Sequence, residues 1–508
     1  MSSSIGLQHP STEVASFRAL GRVVQEVMVA LRDAVESLLK GGLPSTPGQM
    51  YDFERALHSK VGRDCVDRIV GQVIKDALAS EEVRATAAAL LGRYDGVRLQ
   101  KADQEVEVRL LGGSTTKVKV PYFLQRTAPT SGRRRQVEGN GVYPTLAAIG
   151  IHYRVTPALA EEVGRLAIQG GSYQQARETL AMRGVTLDIK TVHRLVLRLG
   201  ERALRHREWL DDLTNRQSAQ IEWGQDRRLV IGTDGGRVRT RWNHAEIETG
   251  KKRRGFTPRW REPKVLVIYA VDDKGCKERK QRCIYDATMG DADALFRILA
   301  SLLSRIGAAQ AREWVFIGDG ALWIWNRLDE LVERVGYDRK RVTPVVDYYH
   351  ACEHLNEIAK AAQGWTEKEQ KAWYHRTKGE LYNGKIEKVL GAMAKVPLPP
   401  RTSNDSEGLP ADPLAYFAAN VERMRYRKFR EKGIPIGSGA VESAVRRLVN
   451  LRLKSNGSFW DIDNAEMFLH LRAQFLGRDW ISFVKTVLDH EVFWGNKHRC
   501  TCKEAVAA

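Results

Sequence analysis

Four short apolar runs, each the length of a buried strand and too short for a typical helix, constrain the fold of this chain most strongly. They lie between positions 228 and 346, and patterns typical of helices, such as residues 292–304 and 322–335, separate them. Strands that alternate with helices pack as a sheet with helices against its faces. The sequence therefore predicts an α/β core with a mixed sheet, whose strands cover residues 229–233, 265–271, 314–317 and 342–346.

The core pattern is interrupted after the fourth strand. A helical pattern covers residues 365–432, with a break rich in Pro, Ser and Asn at 397–413, and core-like apolar sequence resumes at 440–473. An all-α insertion within the α/β core accounts for this order. We predict a first part of the core at 222–364, the helical insertion at 365–432, a second part of the core at 433–480 and a C-terminal tail at 481–508.

Two different patterns open the chain. Helical spacing over residues 13–93 predicts an N-terminal helical region within 1–100, broken at Gly41-Gly42 and Pro44. Alternation with period two on either side of Gly112-Gly113-Ser114 predicts a β-hairpin within 101–150. The polar residues 126–141 after it, with three consecutive arginines at 133–135, are either an arm that lies along DNA or a solvated loop.

A helix-turn-helix is predicted within residues 151–215. Ser172 and Gln175 have the spacing of a capping box, Gly184 breaks the first helix, and Asp188 can cap the second. An ordinary helical hairpin with one charged face would give the same pattern, so both interpretations stay open. The second helix would bury Val192, Leu195, Val196 and Leu199 and present Lys190, Thr191, His193, Arg194 and Arg198 to DNA.

The charge balance favours a polyanionic partner. The 508 residues include 81 Lys and Arg against 62 Asp and Glu, a net charge of +19, and cations of this kind bind phosphates. The longest apolar run, seven residues at 265–271, is far below the roughly 18 needed to span a membrane. Six cysteines without a CxxC pair fit a reducing compartment. We therefore expect a cytoplasmic, nucleic-acid-binding protein with no membrane association.

Three carboxylates have the sequence context of a metal site. Asp234 and Asp319 each follow a predicted strand directly and precede glycine, and Glu442 lies one turn into a helix that follows Gly437-Ser438-Gly439. Ligand sites form at strand ends of α/β sheets, and hard carboxylate oxygens suit Mg²⁺ or Mn²⁺. Solvated carboxylates, or a plain pair of Glu442 with Arg446, are the alternative.

These motifs together resemble the ribonuclease H-like core of bacterial insertion-sequence transposases, in particular the Kra-type group related to Mutator-like enzymes. The resemblance covers residues 228–477 most strongly. It is carried by Gly232-Thr233-Asp234-Gly235, Gly318-Asp319-Gly320, Asp347-Tyr348-Tyr349-His350, Glu353-His354-Leu355, Ile436-Gly437-Ser438-Gly439-Ala440-Val441-Glu442-Ser443, Arg452-Leu453-Lys454-Ser455-Asn456-Gly457 and Trp460.

The resemblance implies a function and a set of residues. Asp234, Asp319 and Glu442 match the family's carboxylates, which bind divalent metal, and the Asp/Cys-x-x-His signature falls on Asp347 and His350. The implied protein is a nucleoid-associated DNA transposase with two Mg²⁺ or Mn²⁺ ions, which binds terminal inverted repeats and target DNA as a homo-oligomer and performs phosphodiester hydrolysis and 3′-OH strand transfer. An inactive, transposase-derived DNA-binding protein would have nearly the same sequence.

A second motif competes for part of this region. His350-Ala351-Cys352-Glu353-His354 fits H-x-x-E-H, in which two histidines bind zinc and the glutamate acts as base in a peptidase. A third ligand would have to follow downstream, and Glu380 is a candidate. The alternatives are that both histidines pack beside the site or that Asp347 and His350 contact DNA or the metal ligands.

Basic segments surround the predicted site. Residues 251–254, 339–341 and 446–447 are runs of Lys and Arg, and in residues 423–432 the cations alternate with Tyr426 and Phe429. Aromatic rings can stack on unpaired bases while cations hold phosphates, although a solvated charged face would also explain each run. As DNA-binding residues here we predict Arg253, Arg254, Arg446 and Arg447.

Overall fold

The structure is a computed structural model. It describes residues 10–92, 97–125, 141–214, 222–244, 255–278, 281, 283–398, 412–455, 457–477 and 480–489. The described chain divides into two compact units, one formed mainly by residues up to Leu199 and the other by residues from Gly200 to Val487. Within the described ranges, no helix combines the length and the apolar character needed to cross a membrane.

The first unit begins with the predicted helical region. The first two helices are joined by the segment in which the break at Gly41-Gly42 and Pro44 was predicted. A π-helical turn at Leu57–Val61 then leads into the third helix. Ser80 caps the fourth helix by accepting a hydrogen bond from the Val83 N–H at 3.3 Å. The four helices are α1 (Pro10–Leu38), α2 (Pro47–Ala56), α3 (Gly62–Ala79) and α4 (Glu81–Leu91).

The predicted β-hairpin is confirmed. Strands β1 (Val97–Arg109) and β2 (Thr115–Gln125) pair antiparallel with Val106 opposite Val118, and β3 (Gly141–Val142) adds a short third strand to β2. Period-two alternation places alternate residues on one face. That face packs with α3 and α5 (Pro144–Ala148) in a core of Ile74, Val106, Val108, Leu110, Val118, Val120, Leu146 and Ile151. The predicted arginine-rich linker at 126–140 lies outside the described residues.

Two helices with a turn occur where the helix-turn-helix was predicted. After α6 (Pro157–Gln169) come α7 (Tyr173–Met182) and α8 (Ile189–Thr214), and Gly184 takes the left-handed conformation between them with φ of 81°. Asp188 accepts a hydrogen bond from the Thr191 N–H at 2.9 Å. The capping box is only half right, because the Gln175 side chain accepts from the Gly171 N–H and not from Ser172. The helix pair is therefore confirmed, and its role in DNA binding stays a prediction.

The second unit contains the predicted mixed sheet. Its five strands lie in the order β10-β9-β4-β7-β8, with β4, β9 and β10 parallel and β7 and β8 antiparallel to their neighbours. All four predicted strands are confirmed, and the fifth, β8, follows a turn that the sequence pattern did not reveal. The strands are β4 (Arg228–Gly235), β7 (Lys264–Val271), β8 (Ile284–Thr288), β9 (Glu313–Gly318) and β10 (Val342–Val346).

A separate two-stranded hairpin leaves the sheet between β4 and β7. Strands β5 (Val238–Asn243) and β6 (Phe256–Arg261) pair antiparallel, with Trp242 opposite Thr257 and Arg239 opposite Trp260. The sequence analysis missed this hairpin, because its strands are polar and carry no apolar run. Residues 251–254, with the predicted DNA contacts Arg253 and Arg254, lie outside the described residues.

Helices pack against the sheet of the second unit. Among them, α17 packs against β4 and β7, α9 against β7 and β8, and α18 against β8. The predicted all-α insertion contains no strand among its described residues and consists of α13, α14, α15 and α16 with the segments that join them. In chain order the helices are α9 (Ala292–Arg305), α10 (Leu322–Trp325), α11 (Leu328–Val335), α12 (Tyr348–Ala361), α13 (Glu367–Tyr382), α14 (Ile386–Met393), α15 (Pro413–Ala419), α16 (Tyr426–Glu431), α17 (Gly439–Val445), α18 (Ile462–Gly477) and α19 (Trp480–Asp489).

Candidate metal and DNA-processing site

Three aspartates lie at the carboxyl ends of three neighbouring parallel strands. Gly232 of β4 pairs with Ile317 of β9, so Asp234 and Asp319, each two residues further along, end their strands side by side. Val346 of β10 pairs with Gly318, which places Asp347 at the same edge. The carboxyl edge of parallel strands is where α/β sheets form their ligand sites. The predicted aspartates are therefore brought together by strand register.

Among the described residues, no Lys or Arg forms an ion pair with Asp234, Asp319 or Glu442. The pKa of Asp234 is raised to about 6, mainly by burial and also by the negative charges of Asp319 and Glu442. A hydrogen bond from the Gly235 N–H at 2.6 Å and the nearby His350 oppose this rise. Charge repulsion of this kind acts only between groups that lie close together. Asp234, Asp319 and Glu442 therefore share one electrostatic environment that favours a bound cation.

Glu442 reaches this edge from helix α17. Its neighbours Val441 and Val445 are buried, and the Val441 side chain lies over Gly232, where an added Cβ would come within 3.2 Å of it. The Glu442 carboxylate itself is exposed and accepts a hydrogen bond from the Ser438 hydroxyl at 3.0 Å. The helix is thus fixed on β4 by its apolar face while its carboxylate stays accessible.

Ser438 also joins Glu442 to the third aspartate. The Ser438 hydroxyl forms a second, very short contact with Asp347 Oδ2, while Asp347 Oδ1 accepts from the Tyr349 N–H at 2.8 Å. Asp347 is only 2% exposed. Asp347 caps α12 and contacts Ser438, which in turn contacts Glu442. Asp347 therefore supports the position of Glu442 through Ser438. The sequence analysis singled out Asp347 but gave no role to Ser438.

Asp319 is held by a residue of the helical insertion. The Tyr416 hydroxyl of α15 donates a hydrogen bond to the Asp319 carbonyl oxygen at 2.8 Å. The next residue, Gly320, has φ of 92°, and a Cβ there would come within 2.6 Å of the Tyr416 ring. Only glycine permits this close approach at a positive φ. Tyr416 had no sequence signal, because 97 residues separate it from Asp319.

His350 and His354 contact each other beside the aspartates. Their Nε2 atoms lie 3.1 Å apart, and the His354 ring lies edge-on to Tyr416 at 4.9 Å. Burial lowers the pKa of His354 to about 4, with His350 adding to the effect and Asp319 opposing it. His354 is therefore neutral at physiological pH and packs beside the site. Glu380, the candidate third zinc ligand, pairs with Lys385 at 3.1 Å.

The donor set suits a hard divalent cation in its chemistry. Carboxylate oxygens are what Mg²⁺ and Mn²⁺ prefer, and a bound cation would favour the charged form of Asp234, which burial and the charges of Asp319 and Glu442 disfavour. Within the described ranges, however, no three His, Cys, Asp or Glu side chains stand in a ready-made metal-binding arrangement. The charges of Asp234, Asp319 and Glu442 thus influence one another. To bind an ion together, their side chains would have to move closer to each other.

The predicted DNA-reading residues of α8 lie in the first unit. Lys190 and Arg194 are exposed, and the Thr191 hydroxyl donates to Asp188 at 2.6 Å. His193 is only partly exposed, because it packs edge-on against Tyr173 at 5.1 Å, and burial lowers its pKa. Arg198 is also only partly exposed. The charged face is therefore narrower than predicted and centres on Lys190 and Arg194.

One predicted basic surface is wrong in its aromatic part. Tyr426 and Phe429 are 0% and 9% exposed and belong to the core of the insertion, so they cannot stack on bases. Arg425 forms ion pairs with Glu387 and Glu422, at 2.6 and 2.8 Å. The error arose because cations and aromatic residues that alternate in the sequence were assumed to lie on one surface. In a helix they lie on different faces, and here the aromatic residues face inward.

The remaining basic runs are partly engaged within the protein. Arg339 pairs with Asp329 at 2.6 Å, and Arg341 donates to the Arg312 carbonyl oxygen at 3.0 Å. Arg447 lies over the Tyr285 ring at 5.7 Å, whereas Arg446 is exposed. Of the two cations predicted to bind DNA after Glu442, Arg446 is thus the more accessible.

Comparison of the chain with protein-family models, with curated proteins and with solved structures found no match.

Proposed function

We propose that this protein is a DNA transposase whose strand-cleavage site is formed by Asp234, Asp319 and Glu442. The observation that carries the proposal is that Asp234 and Asp319 lie side by side at the carboxyl edge of the parallel strands, where burial, together with the charges of Asp319 and Glu442, raises the pKa of Asp234 to about 6. Such unneutralised carboxylates are costly to keep together and are typical of functional sites. The motif resemblance supplies the reaction class.

The fold supports the ribonuclease H-like part of this proposal. A five-stranded mixed sheet carries helices against its faces, and the long insertion separates the aspartates from the glutamate, as the resemblance implies. The helix pair α7 and α8 would hold the terminal inverted repeats, and synapsis of two element ends would require a homo-oligomer. The net charge of +19 fits DNA as the partner.

Each residue of the site has a defined task in this proposal. Asp234, Asp319 and Glu442 would hold one or two Mg²⁺ or Mn²⁺ ions. When bound, such ions lower the pKa of an attacking water and stabilise the leaving 3′-oxygen. The Asp347–Ser438 contact orients the Glu442 carboxylate, and Tyr416 fixes the backbone that carries Asp319. Water attacks the phosphodiester at the element end, and the freed 3′-OH is then the nucleophile on target DNA.

The two other candidate functions have weaker support. A zinc peptidase needs a third ligand for His350 and His354, yet the candidate Glu380 is paired with Lys385. An inactive DNA-binding derivative would gain nothing from unneutralised carboxylates. The transposase proposal therefore accounts for more of the site than either alternative.

The test is a cleavage assay on a labelled duplex that carries the DNA ends flanking the gene, with Mg²⁺, Mn²⁺ or EDTA. We expect metal-dependent nicking at the element boundary by the wild type and by Asp329→Asn, a surface control, and none by Asp234→Ala. Binding without cleavage in every metal would favour the DNA-binding derivative. Stoichiometric zinc after purification, with no DNA binding, would favour the peptidase.

A further inference from the structure

The β5–β6 hairpin has a composition unlike the rest of the surface. Its two strands contain four arginines, Arg239, Arg241, Arg259 and Arg261, and no Asp or Glu. They also carry two large indole rings, Trp242 and Trp260, which are 44% and 57% exposed. Tryptophan is enriched at binding interfaces, because its large ring is apolar and its N–H group is polar. A ribbon of cations and exposed indoles fits a polyanion that also has flat apolar faces.

Both faces of the hairpin carry this combination. Successive side chains of a strand point to opposite faces, so Trp242 and Trp260, which lie on opposite strands and are not paired across them, fall on different faces. On one face Arg259 lies over the Trp242 ring at 4.2 Å. On the other face Arg239 lies 5.7 Å from Trp260 and Arg241 lies 4.9 Å from Phe256. Each ring is thus held in place by an arginine and remains partly open to a ligand.

The base of the hairpin is fixed by hydrogen bonds to Trp460 and is connected to Asp234 by a few residues of chain. The Arg241 N–H donates to the Trp460 carbonyl oxygen at 2.8 Å, and the Trp460 N–H donates to the Arg239 carbonyl oxygen at 2.9 Å. Val238 and Thr240 are buried at this base. Strand β5 begins four residues after Asp234. Trp242 lies eight residues after Asp234, so the two residues are at most about 26 Å apart even in a fully extended chain.

We propose that the β5–β6 hairpin binds DNA with unpaired bases, which stack on Trp242 and Trp260 while the arginines hold the phosphates. Bases in an intact duplex are stacked on each other and offer no free face to an indole, so exposed rings favour single-stranded or forked DNA. Near the cleavage site, such a contact would hold the opened end of the element. The role of the hairpin in holding the element end rests on the proposed transposase function. Binding of unpaired bases by the hairpin does not depend on that function.

The experiment measures binding of the full-length protein in EDTA, so that no cleavage occurs. Three fluorescent probes of equal length are used: a single strand, a fully paired duplex and a fork with unpaired bases at one end. We expect the fork and the single strand to bind more tightly than the duplex. Trp242→Ala and Trp260→Ala should each weaken binding of the fork by about 5- to 100-fold and change duplex binding little.

Three further variants separate stacking from charge and from misfolding. Leu322→Ala removes an apolar side chain that is 70% exposed and lies off the hairpin, and it should leave all three affinities unchanged. Arg241→Gln should weaken binding of every probe and reduce the salt dependence by about one charge. Trp242→Phe should restore part of the lost affinity, which a folding defect would not allow.

Other results would overturn the inference. Fork affinity that is unchanged in both tryptophan variants would exclude stacking on the hairpin. Equal binding of duplex and fork, lost equally in the variants, would show that the ribbon enters a duplex groove instead. The outcome is independent of the cleavage assay, since binding is measured in EDTA, where no strand is cut. Failure of cleavage with intact fork binding would therefore refute the transposase and not the hairpin site.

Discussion

The second unit contains two carboxylate clusters that differ in how their charge is balanced. In one, Asp286 of β8 and Glu466 of α18 are almost fully buried, yet Arg207 lies 2.6 Å from Glu466 and His470 lies 3.0 Å from Asp286. The interactions with His470 and Arg207 and the hydrogen bonds to Asp286 outweigh burial and lower the pKa of Asp286. In the other, Asp234, Asp319 and Glu442 form no ion pair with a Lys or Arg that the structure describes, and burial, together with the charges of Asp319 and Glu442, raises the pKa of Asp234 to about 6.

The contrast separates charge that stabilises the fold from charge kept for a ligand. A buried carboxylate normally needs a paired cation and hydrogen bonds, which the Arg207 cluster supplies from within the chain. The Asp234 cluster lacks that balance, and a site that lowers stability in the absence of its ligand is a common property of functional centres. The following predictions test this division, beginning with the largest expected effect.

Removal of the Glu442 carboxylate should separate function from stability most sharply. We expect Glu442→Gln to reduce the rate of strand cleavage by at least about 10²- to 10³-fold, because the side chain would hold the metal ions that stabilise the transition state. The free energy of unfolding should change by less than about 0.5 kcal/mol, since the residue is exposed. Single-turnover cleavage and urea unfolding measure the two effects. A variant that cleaves at the wild-type rate would remove Glu442 from the site.

Removal of the cation from the balanced cluster should have the opposite effect. Arg207→Met leaves Asp286 and Glu466 buried without their shared partner, and we expect unfolding to become easier by about 3–5 kcal/mol. Urea denaturation monitored by circular dichroism measures the change. Arg312→Met, which removes an exposed partner of Asp273, is the matched control and should cost at most about 1 kcal/mol. Equal effects of the two variants would contradict the division.

The pH dependence of stability should have opposite signs in the two clusters. Because the pKa of Asp234 is raised to about 6 in the folded state, the folded protein binds more protons than the unfolded chain between about pH 4 and 6, and this group destabilises the fold as the pH rises. Because the pKa of Asp286 is lowered, its contribution is present at neutral pH and is lost as the pH falls below the ordinary aspartate range.

The Asp234→Asn variant isolates the pH-dependent contribution of Asp234 to stability. In EDTA at pH 7 the variant should be more stable than the wild type by about 1–2 kcal/mol, and the difference should disappear near pH 4. Urea unfolding of both proteins across this range is the measurement. A stability difference that does not depend on pH would show that Asp234 is not the group whose charge is unfavourable.

The smallest effect is expected for the contact that supports Asp319. Tyr416→Phe removes the hydroxyl that donates to the Asp319 carbonyl oxygen and keeps the ring against Gly320. One hydrogen bond of this kind contributes about 1 kcal/mol, so we expect a cleavage rate lower by about tenfold or less. Gly320→Ala should be more harmful, since a Cβ would meet the Tyr416 ring at a positive φ. Equal rates for Tyr416→Phe and wild type would leave Tyr416 as packing only.

Sequence patterns predicted what short-range physics determines. The apolar runs of β4, β7, β9 and β10 and the alternation around Val106 and Val118 give strands of the correct location, because a buried face requires that periodicity. The position of Asp234 and Asp319 at one edge followed from strand ends alone. Their joint role with Glu442 in catalysis remains a prediction.

The parts that were missed depend on contacts between distant residues. Ser438 meets Asp347 across 91 positions and Tyr416 meets Asp319 across 97, and neither pair has a spacing that a sequence pattern could indicate. The β5–β6 hairpin escaped notice because both its faces are polar, and an alternating pattern arises only where one face is buried. Tyr426 and Phe429 were misjudged because a run of charges in the sequence does not show which way the interleaved rings point.

Helix α17 shows how far the site can be moved to another protein. Serine at the position before a helix usually accepts a hydrogen bond from the helix backbone and contributes about 1 kcal/mol to it. Here the Ser438 side chain caps no backbone N–H, and its hydroxyl contacts Asp347 and Glu442 instead. The start of the helix is therefore stabilised by β10 and the turn after it rather than by its own sequence. Residues 436–445 placed alone into another scaffold would carry Glu442 without the contacts that orient it. The turn between β10 and α12, which contains Asp347, would have to be transferred with them.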